Sequence, residues 1–159
     1  PVAFNREVRE GRHVISQHYS FNHKNHEVVS TDSIFNIPIQ TQDMLSAFFY
    51  ARTFKKDSVS SGDSFSIPIF MDDENYLLKI QYLKNEIIKT RWGKVDCMVF
   101  RPKMQEGRVF EDGEEMKIWI TDDRNHLLLK VETKIWAGLI KAVLEDYRNV
   151  RRPIKIIEE

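Results

Sequence analysis

Three short segments in which apolar and polar residues alternate constrain the fold of this chain more than any other feature. They lie in residues 114–147, which read EEMKIWITDDRNHLLLKVETKIWAGLIKAVLEDY. Between them, residues 122–125 (DDRN) and 136–138 (WAG) provide residue types that favour turns. Because successive side chains of a strand point to opposite faces, the pattern predicts three antiparallel strands.

Most of the remaining chain repeats this strand and turn pattern, with one helical interruption. The pattern predicts strands over 76–83 and 86–92, and a last short strand at Ile154, Ile156 and Ile157. In the helical interruption Thr41 can act as an N-cap, and apolar residues recur at helical spacing at Met44, Leu45, Phe48 and Phe49. We therefore predict a mainly β fold. Its antiparallel meander should form a curved sheet or half-open barrel, with one amphipathic helix over about residues 41–54 packed against it.

The length of 159 residues fits a single domain over 1–159 with a proper hydrophobic core. The chain starts at Pro1 and enters strand-like sequence almost at once, so we expect it to be truncated or processed at its N-terminus. Its single cysteine, Cys97, alternates with Val95 and Val99. This pattern predicts a buried, inert thiol and no intramolecular disulfide.

Composition and charge disfavour two classes of partner. The 24 basic and 24 acidic residues balance, whereas nucleic-acid binding usually needs a basic face, so we expect no nucleic-acid partner. The sequence also lacks an apolar run of about 18 residues, so we expect no transmembrane segment.

The polar motifs favour structural roles over catalysis or metal binding. The pairs Asp72-Asp73 and Asp122-Asp123 suit turn capping and lack the ligand pattern of a calcium loop. The histidines lack a nearby carboxylate or thiolate to complete a metal site, and Ser60-Ser61 has no nucleophile-elbow frame. We accordingly predict no catalytic residues, no metal and no cofactor.

Large side chains of the helix and of the strand ends are the candidate ligand contacts. The aromatic face of the helix could cover the sheet or form the wall of a cavity, and the tryptophans could pack in the core or line a cavity mouth. The candidates are Phe48, Phe49, Arg52, Trp92, Trp119 and Trp136.

Three segments carry a resemblance to a known family. They are QDMLSAFFYAR at 42–52, TRWGKVDCMVFRP at 90–102, and QEGRVFEDGEEMKIWITDDRNHLLLKVETKIWAGLIKA at 105–142. In these segments the chain resembles an uncharacterised family of bacterial exported proteins, domain-of-unknown-function family 3108. The chain resembles the C-terminal two-thirds of that family's members, which carry a signal peptide and further strands before this point.

The resemblance implies an exported protein, periplasmic or otherwise facing the envelope of a Gram-negative bacterium. It implies no catalytic residues. We expect a non-enzymatic protein that binds an apolar or amphipathic, lipid-like molecule on a concave sheet. A structural or protein-interaction module that docks on another envelope protein is the alternative, and an uncharacterised enzyme is the third hypothesis.

Overall fold

A computed structural model describes residues 1–53, 60–104, 115–135 and 137–157. The chain divides into two compact units. Unit 1 comprises Pro1–Ala51 and Ile67–Leu78, and unit 2 comprises Arg52–Ser66 and Lys79–Glu159.

Strands dominate the described residues. These residues include one short helix, α1 (Ser46–Ala51). The strands are β1 (Ala3–Glu10), β2 (His13–Asn22), β3 (Glu27–Val29), β4 (Ile34–Asn36), β5 (Ser64–Met71), β6 (Glu74–Thr90), β7 (Gly93–Met104), β8 (Glu115–Thr121), β9 (Leu128–Ile135), β10 (Gly138–Val143) and β11 (Ile156–Ile157).

The strands form antiparallel sheets whose order follows the sequence. One sheet has the order β1-β2-β3-β4, and the other has the order β10-β9-β8-β7-β6-β5, with β11 paired to β7. Among the described residues the second sheet is an open path with β10 and β5 at its ends. The predicted mainly β, antiparallel class is therefore confirmed.

Aromatic side chains form the core of unit 1. Phe70 is 1% exposed, and its ring meets that of Tyr19 edge-on with centroids 5.0 Å apart. Apolar residues of β1, β2, β3 and the segment after β4 complete the cluster, which consists of Phe4, Tyr19, Phe21, Val28, Ile37 and Phe70. Burial together with the hydrogen bond to Asp73 raises the pKa of Tyr19 to about 12, so its hydroxyl stays protonated at neutral pH.

A second core lies on one face of the sheet in unit 2. Its centre is Trp119 of β8, which stands opposite Val99 of β7 and is 3% exposed. The buried members are Val95, Cys97, Val99, Trp119, Leu129 and Ile154.

The helix is shorter than the predicted span of 41–54, and its cap differs from the prediction. Asp43, not Thr41, accepts hydrogen bonds from the backbone N–H groups of Leu45 and Ser46 through Oδ1. The residue before it, Gln42, forms a parallel bridge with Ile69 and so belongs to extended chain. These hydrogen bonds delay the first helical turn to Ser46. Residue 54, the predicted last residue, lies outside the described part of the chain.

The sheet also departs from the prediction at β6. The sequence predicted two strands over 76–83 and 86–92, but β6 runs unbroken from Glu74 to Thr90. Asn85, which lies in the predicted gap, donates its side-chain N–H groups to Asp96 and Asp122 and accepts from Tyr82. A polar residue therefore satisfies its hydrogen bonds within the sheet without ending the strand. The last predicted strand, near Ile156, is confirmed as β11.

Candidate functional site

The candidate site is a cleft of about 770 Å³ within unit 2. This volume lies in the range of about 300–1,000 Å³ that is typical of small-molecule sites. The end of β6, the turn after it, β9 and the chain that leaves β10 form the walls. The lining residues are Ile87, Ile88, Lys89, Thr90, Arg91, Trp92, Leu129, Lys130, Val143, Leu144 and Glu145.

A tight turn between β6 and β7 positions Trp92. The hydroxyl of Thr90 accepts a hydrogen bond from the Trp92 backbone N–H at 3.1 Å and donates to the carbonyl of Gly93 at 2.9 Å. The indole ring then meets Tyr147 edge-on, with ring centroids 5.0 Å apart. Hydrogen bonding on one side and aromatic packing on the other thus hold Trp92 at the cleft wall.

Replacing Gly93 with alanine should lower the free energy of unfolding by about 2–4 kcal/mol. Gly93 has φ +126°, which disfavours any side chain, and an added Cβ would lie 2.7 Å from Cγ2 of Ile156. Chemical denaturation should show that Gly93→Ala/Ile156→Ala loses less stability than the sum of the single variants, because the second change removes the clash. Additive losses would contradict this packing.

Trp119 does not line the cleft but contacts a residue that does. The ammonium group of Lys130, a lining residue, lies 3.6 Å from the centroid of the Trp119 ring. Leu129, the residue before Lys130, also lines the cleft and belongs to the same buried cluster as Trp119. The cation–π contact places the positive charge of Lys130 at a defined position in the wall.

Cationic groups outnumber anionic ones in the lining. Lys89, Arg91 and Lys130 carry positive charge, and Glu145 carries negative charge. Arg91 donates to the backbone carbonyl of Glu145 at 2.9 Å, and its guanidinium lies 3.9 Å from the Glu145 carboxylate. The other two cations therefore give the cleft a net positive charge.

A neighbouring carboxylate holds Lys130 in place. Oε1 of Glu132 lies 3.1 Å from the ammonium groups of both Lys130 and Lys141. Burial acts to raise the pKa of Glu132, but the hydrogen bonds from the two lysines outweigh it, so the pKa lies below its usual value. One ionised carboxylate is thus shared by two lysines.

The C-terminal segment forms the remaining wall and is tied to the turn at residues 122–126. The Leu144 N–H donates to the carbonyl of Leu129 at 2.8 Å as the chain leaves β10. Farther along, Asn125 donates to the carbonyl of Arg152, and the Lys155 N–H donates to Asp123. These bonds fix both ends of the segment that supplies Tyr147.

Replacing Asp123 with asparagine should cost about 1–2 kcal/mol at pH 7. Oδ1 of Asp123 accepts from Thr121, Asn125 and His126, while Oδ2 accepts from the Lys155 N–H. An asparagine would turn an N–H donor toward one of these two sets of donors.

The loss from Asp123→Asn should be pH-dependent. Burial acts to raise the pKa of Asp123, but its hydrogen bonds outweigh this and lower it. The stabilisation is therefore present above the ordinary aspartate pKa of about 3.9 and disappears as the pH falls through the lower folded-state value. Denaturation at pH 7 and pH 2.5 should show the difference from wild type shrinking in acid, while the exposed Asp32→Asn changes little at either pH. A difference that is constant with pH would contradict the assignment.

The six predicted ligand contacts occupy different places. Trp92 lines the cleft, and Trp119 lies in the buried cluster against which Trp92 packs. Arg52 donates to the carbonyl of Asn125, and its own carbonyl accepts from the Nδ1–H of His126, outside the cleft lining. Phe48 and Phe49 lie on α1 in unit 1, where Phe49 is 66% exposed. Trp136 is outside the described residues.

Sequence reasoning missed most of the lining, including Ile87, Leu129, Val143 and Leu144. A weak signal existed, since Ile87 and Ile88 are adjacent on a strand and so point to opposite faces. One of the two had to lie on the face away from the core. No sequence feature linked this strand to Leu144, which lies more than fifty residues farther along the chain.

Cys97 is buried as predicted, with 0% exposure. Burial, followed by the nearby Asp96 carboxylate, raises the pKa of its thiol to about 12. The thiol is therefore protonated at neutral pH and a poor nucleophile.

Within the described residues, no group of three or more histidine, cysteine, aspartate or glutamate side chains is arranged to hold a metal ion. The described part of the chain also contains no helix with the length and apolarity needed to cross a lipid bilayer.

Comparison with known proteins identifies one family. A family model described as "Protein of unknown function (DUF3108)" matches residues 1–145, which include every residue that lines the cleft. No curated protein and no solved structure matches the chain.

Proposed function

We propose that this chain, which belongs to the DUF3108 family, is a non-enzymatic binding protein that holds an apolar or amphipathic small molecule in the cleft of unit 2. The observation that carries the proposal is the cleft itself, with Trp92 in its wall and about 770 Å³ of space. Mostly apolar walls with a few polar groups are the usual composition of small-molecule sites.

The distribution of side chains in the cleft favours an amphipathic ligand. Ile87 and Val143 are 58% and 60% exposed, so apolar surface that faces solvent would be buried by a hydrocarbon chain. Charged groups, among them Lys89 and Glu145, lie beside this surface and can contact a polar end. Thr90 already uses its hydroxyl to shape the turn, which favours binding over catalysis.

In this proposal the protein is located in the periplasm or another part of the Gram-negative cell envelope. It rests on the resemblance to exported proteins. Osmotic-shock fractionation of the native host, followed by immunodetection, tests it. The protein should be released with periplasmic markers, and recovery with cytosolic enzymes would refute this part of the proposal.

Two matched variants test ligand binding. Ile87 lines the cleft, whereas Ile140 of β10 does not, and the two side chains are similarly exposed at 58% and 56%. Calorimetric titration of dodecanol below its solubility limit should detect binding to wild type and to Ile140→Trp. Ile87→Trp should weaken binding at least about tenfold, because the larger ring fills the cleft. Equal binding by the two variants, or no binding by wild type, would refute the proposal.

A second candidate function is a protein-interaction module of the envelope. The end strand β10 favours it, since all six of its residues are exposed, including Leu139 and Ile140. An extended segment of a partner protein could add to this edge through main-chain hydrogen bonds. Leu139→Glu/Ile140→Glu should then abolish reciprocal co-purification with one defined partner, while Ile87→Trp should not. Co-purification unchanged by the double variant would remove this candidate.

A further inference from the structure

We propose that the molecule held in the cleft is an acid: a single-chain amphiphile whose carboxylate or phosphate head lies between Lys89 and Lys130. This inference rests on the proposed binding function and adds the charge of the ligand. It follows from the distribution of charge around the cleft.

Cations outnumber carboxylates among the residues that line the cleft. Lys89, Arg91 and Lys130 line it together with a single carboxylate, Glu145. Arg91 is the cation that lies near Glu145, at 3.9 Å. Lys89 is exposed, and no described residue forms an ion pair with it. An anionic head would therefore find a cation for which no carboxylate of the described residues competes.

Neighbouring side chains hold Lys130 in a defined position. Its ammonium group shares the Glu132 carboxylate with Lys141, so one of the two positive charges is left uncompensated within this group of three. The Lys130 side chain is 19% exposed and lies against the Trp119 ring. Its position is thus set before a ligand binds, which reduces the entropy lost on binding.

The surrounding sheet face carries more lysines than carboxylates. Lys117 of β8 stands opposite Glu132, and Lys134 of β9 stands opposite Glu115, which lies 3.6 Å from the ammonium group of Lys117. Together with Lys130 and Lys141, four lysines share this face with two carboxylates, which leaves it positive in a chain whose formal net charge is zero. Such a field attracts anions and repels cations.

The cations that would contact the ligand's head group are lysines, which limits the chemical class of that head group. Lysine ammonium groups act as compact point charges and bind carboxylates and phosphates without the planar geometry that arginine imposes. Both acids are therefore acceptable. The apolar wall at Ile87, Trp92 and Val143 accounts for a hydrocarbon chain attached to that head.

Four ligands that share a dodecyl chain and differ in their head group test the inference. Calorimetric titrations would use dodecanoate, dodecyl phosphate, dodecanol and dodecylamine at pH 7, below their micelle-forming concentrations. Both acids should bind about tenfold more tightly than dodecanol, and dodecylamine should bind most weakly. Added salt should weaken the acids selectively.

A pair of lysine variants on one strand locates the head. Lys89→Gln should weaken binding of the acids about fivefold more than it weakens binding of dodecanol. Lys79 is also exposed, lies on β6 ten residues away and does not line the cleft, so Lys79→Gln should change neither. Comparable affinities for all four heads, with binding still lost in Ile87→Trp, would overturn the acid inference alone. Absence of binding by all four would overturn the proposed function as well.

Discussion

Trp119→Ala should lower the free energy of unfolding by about 3–5 kcal/mol, the usual cost of truncating a buried tryptophan. The indole is 3% exposed at the centre of the unit 2 core, and the ammonium group of Lys130 lies over its ring. Removing it leaves a cavity under the cleft and abolishes the cation–π contact. Guanidinium denaturation followed by the fluorescence of the remaining tryptophans would measure the loss.

Trp119→Phe provides the matched control. In the described residues, Nε1 of Trp119 is buried without a hydrogen-bond partner, so phenylalanine removes an unsatisfied donor while it keeps an aromatic ring. We expect it to cost less than half as much as alanine. A loss as large as that of Trp119→Ala would show that the indole N–H is required and would contradict this account of the core.

Phe70→Ala should have an effect of similar size, about 3–5 kcal/mol, in unit 1. Phe70 is 1% exposed and packs against three aromatic rings, those of Tyr19, Phe21 and Phe35, at centroid distances of 5.0, 6.5 and 5.2 Å. Alanine would remove all three contacts. Because unit 1 contains no tryptophan, hydrogen exchange of the β1–β4 amides is the appropriate measurement.

Val14→Ala is the control for that experiment. Val14 lies on β2 and is 58% exposed, so its truncation should change stability by no more than about 0.5 kcal/mol. Faster exchange across β1–β4 in Phe70→Ala alone is the expected outcome. Similar exchange rates in the two variants would show that Phe70 does not hold this core together.

Hydrophobic alternation was enough to predict the fold class, because period-2 patterning reports directly which face of a strand is buried. It also located the short last strand at Ile156. It failed where side-chain hydrogen bonds decide local structure. Asp43 starts the helix later than the apolar spacing suggests, and the partners of Asn85 come from β7 and from Asp122, beyond the end of β8.

The two aspartate pairs show the same limit. Asp72 and Asp73 both have positive φ, 50° and 61°, and make a two-residue turn between β5 and β6. In the other pair, Asp123 caps a longer turn with its own side chain. Identical dipeptides thus serve different turns, because the flanking strands determine the length of the connection.

Sequence reasoning identified one wall of the candidate site and not the others. Trp92 stood out because a tryptophan beside a glycine turn at a strand end is easily recognised. The cleft also needs the residues that follow β10, which continue beside β9 through the bond from the Leu144 N–H to the Leu129 carbonyl. These residues lie more than fifty positions after the wall formed by β6, and local patterning carries no information about such a distant contact.

Amide chemical-shift mapping of ¹⁵N-labelled protein, titrated with dodecanoate below its micelle-forming concentration, tests the central claim most directly. Saturable shifts should be concentrated at residues 87–92, 129–130 and 143–145, which line the cleft. Shifts confined to α1 or to the outer edge of β10, or no saturable shifts at all, would contradict that claim.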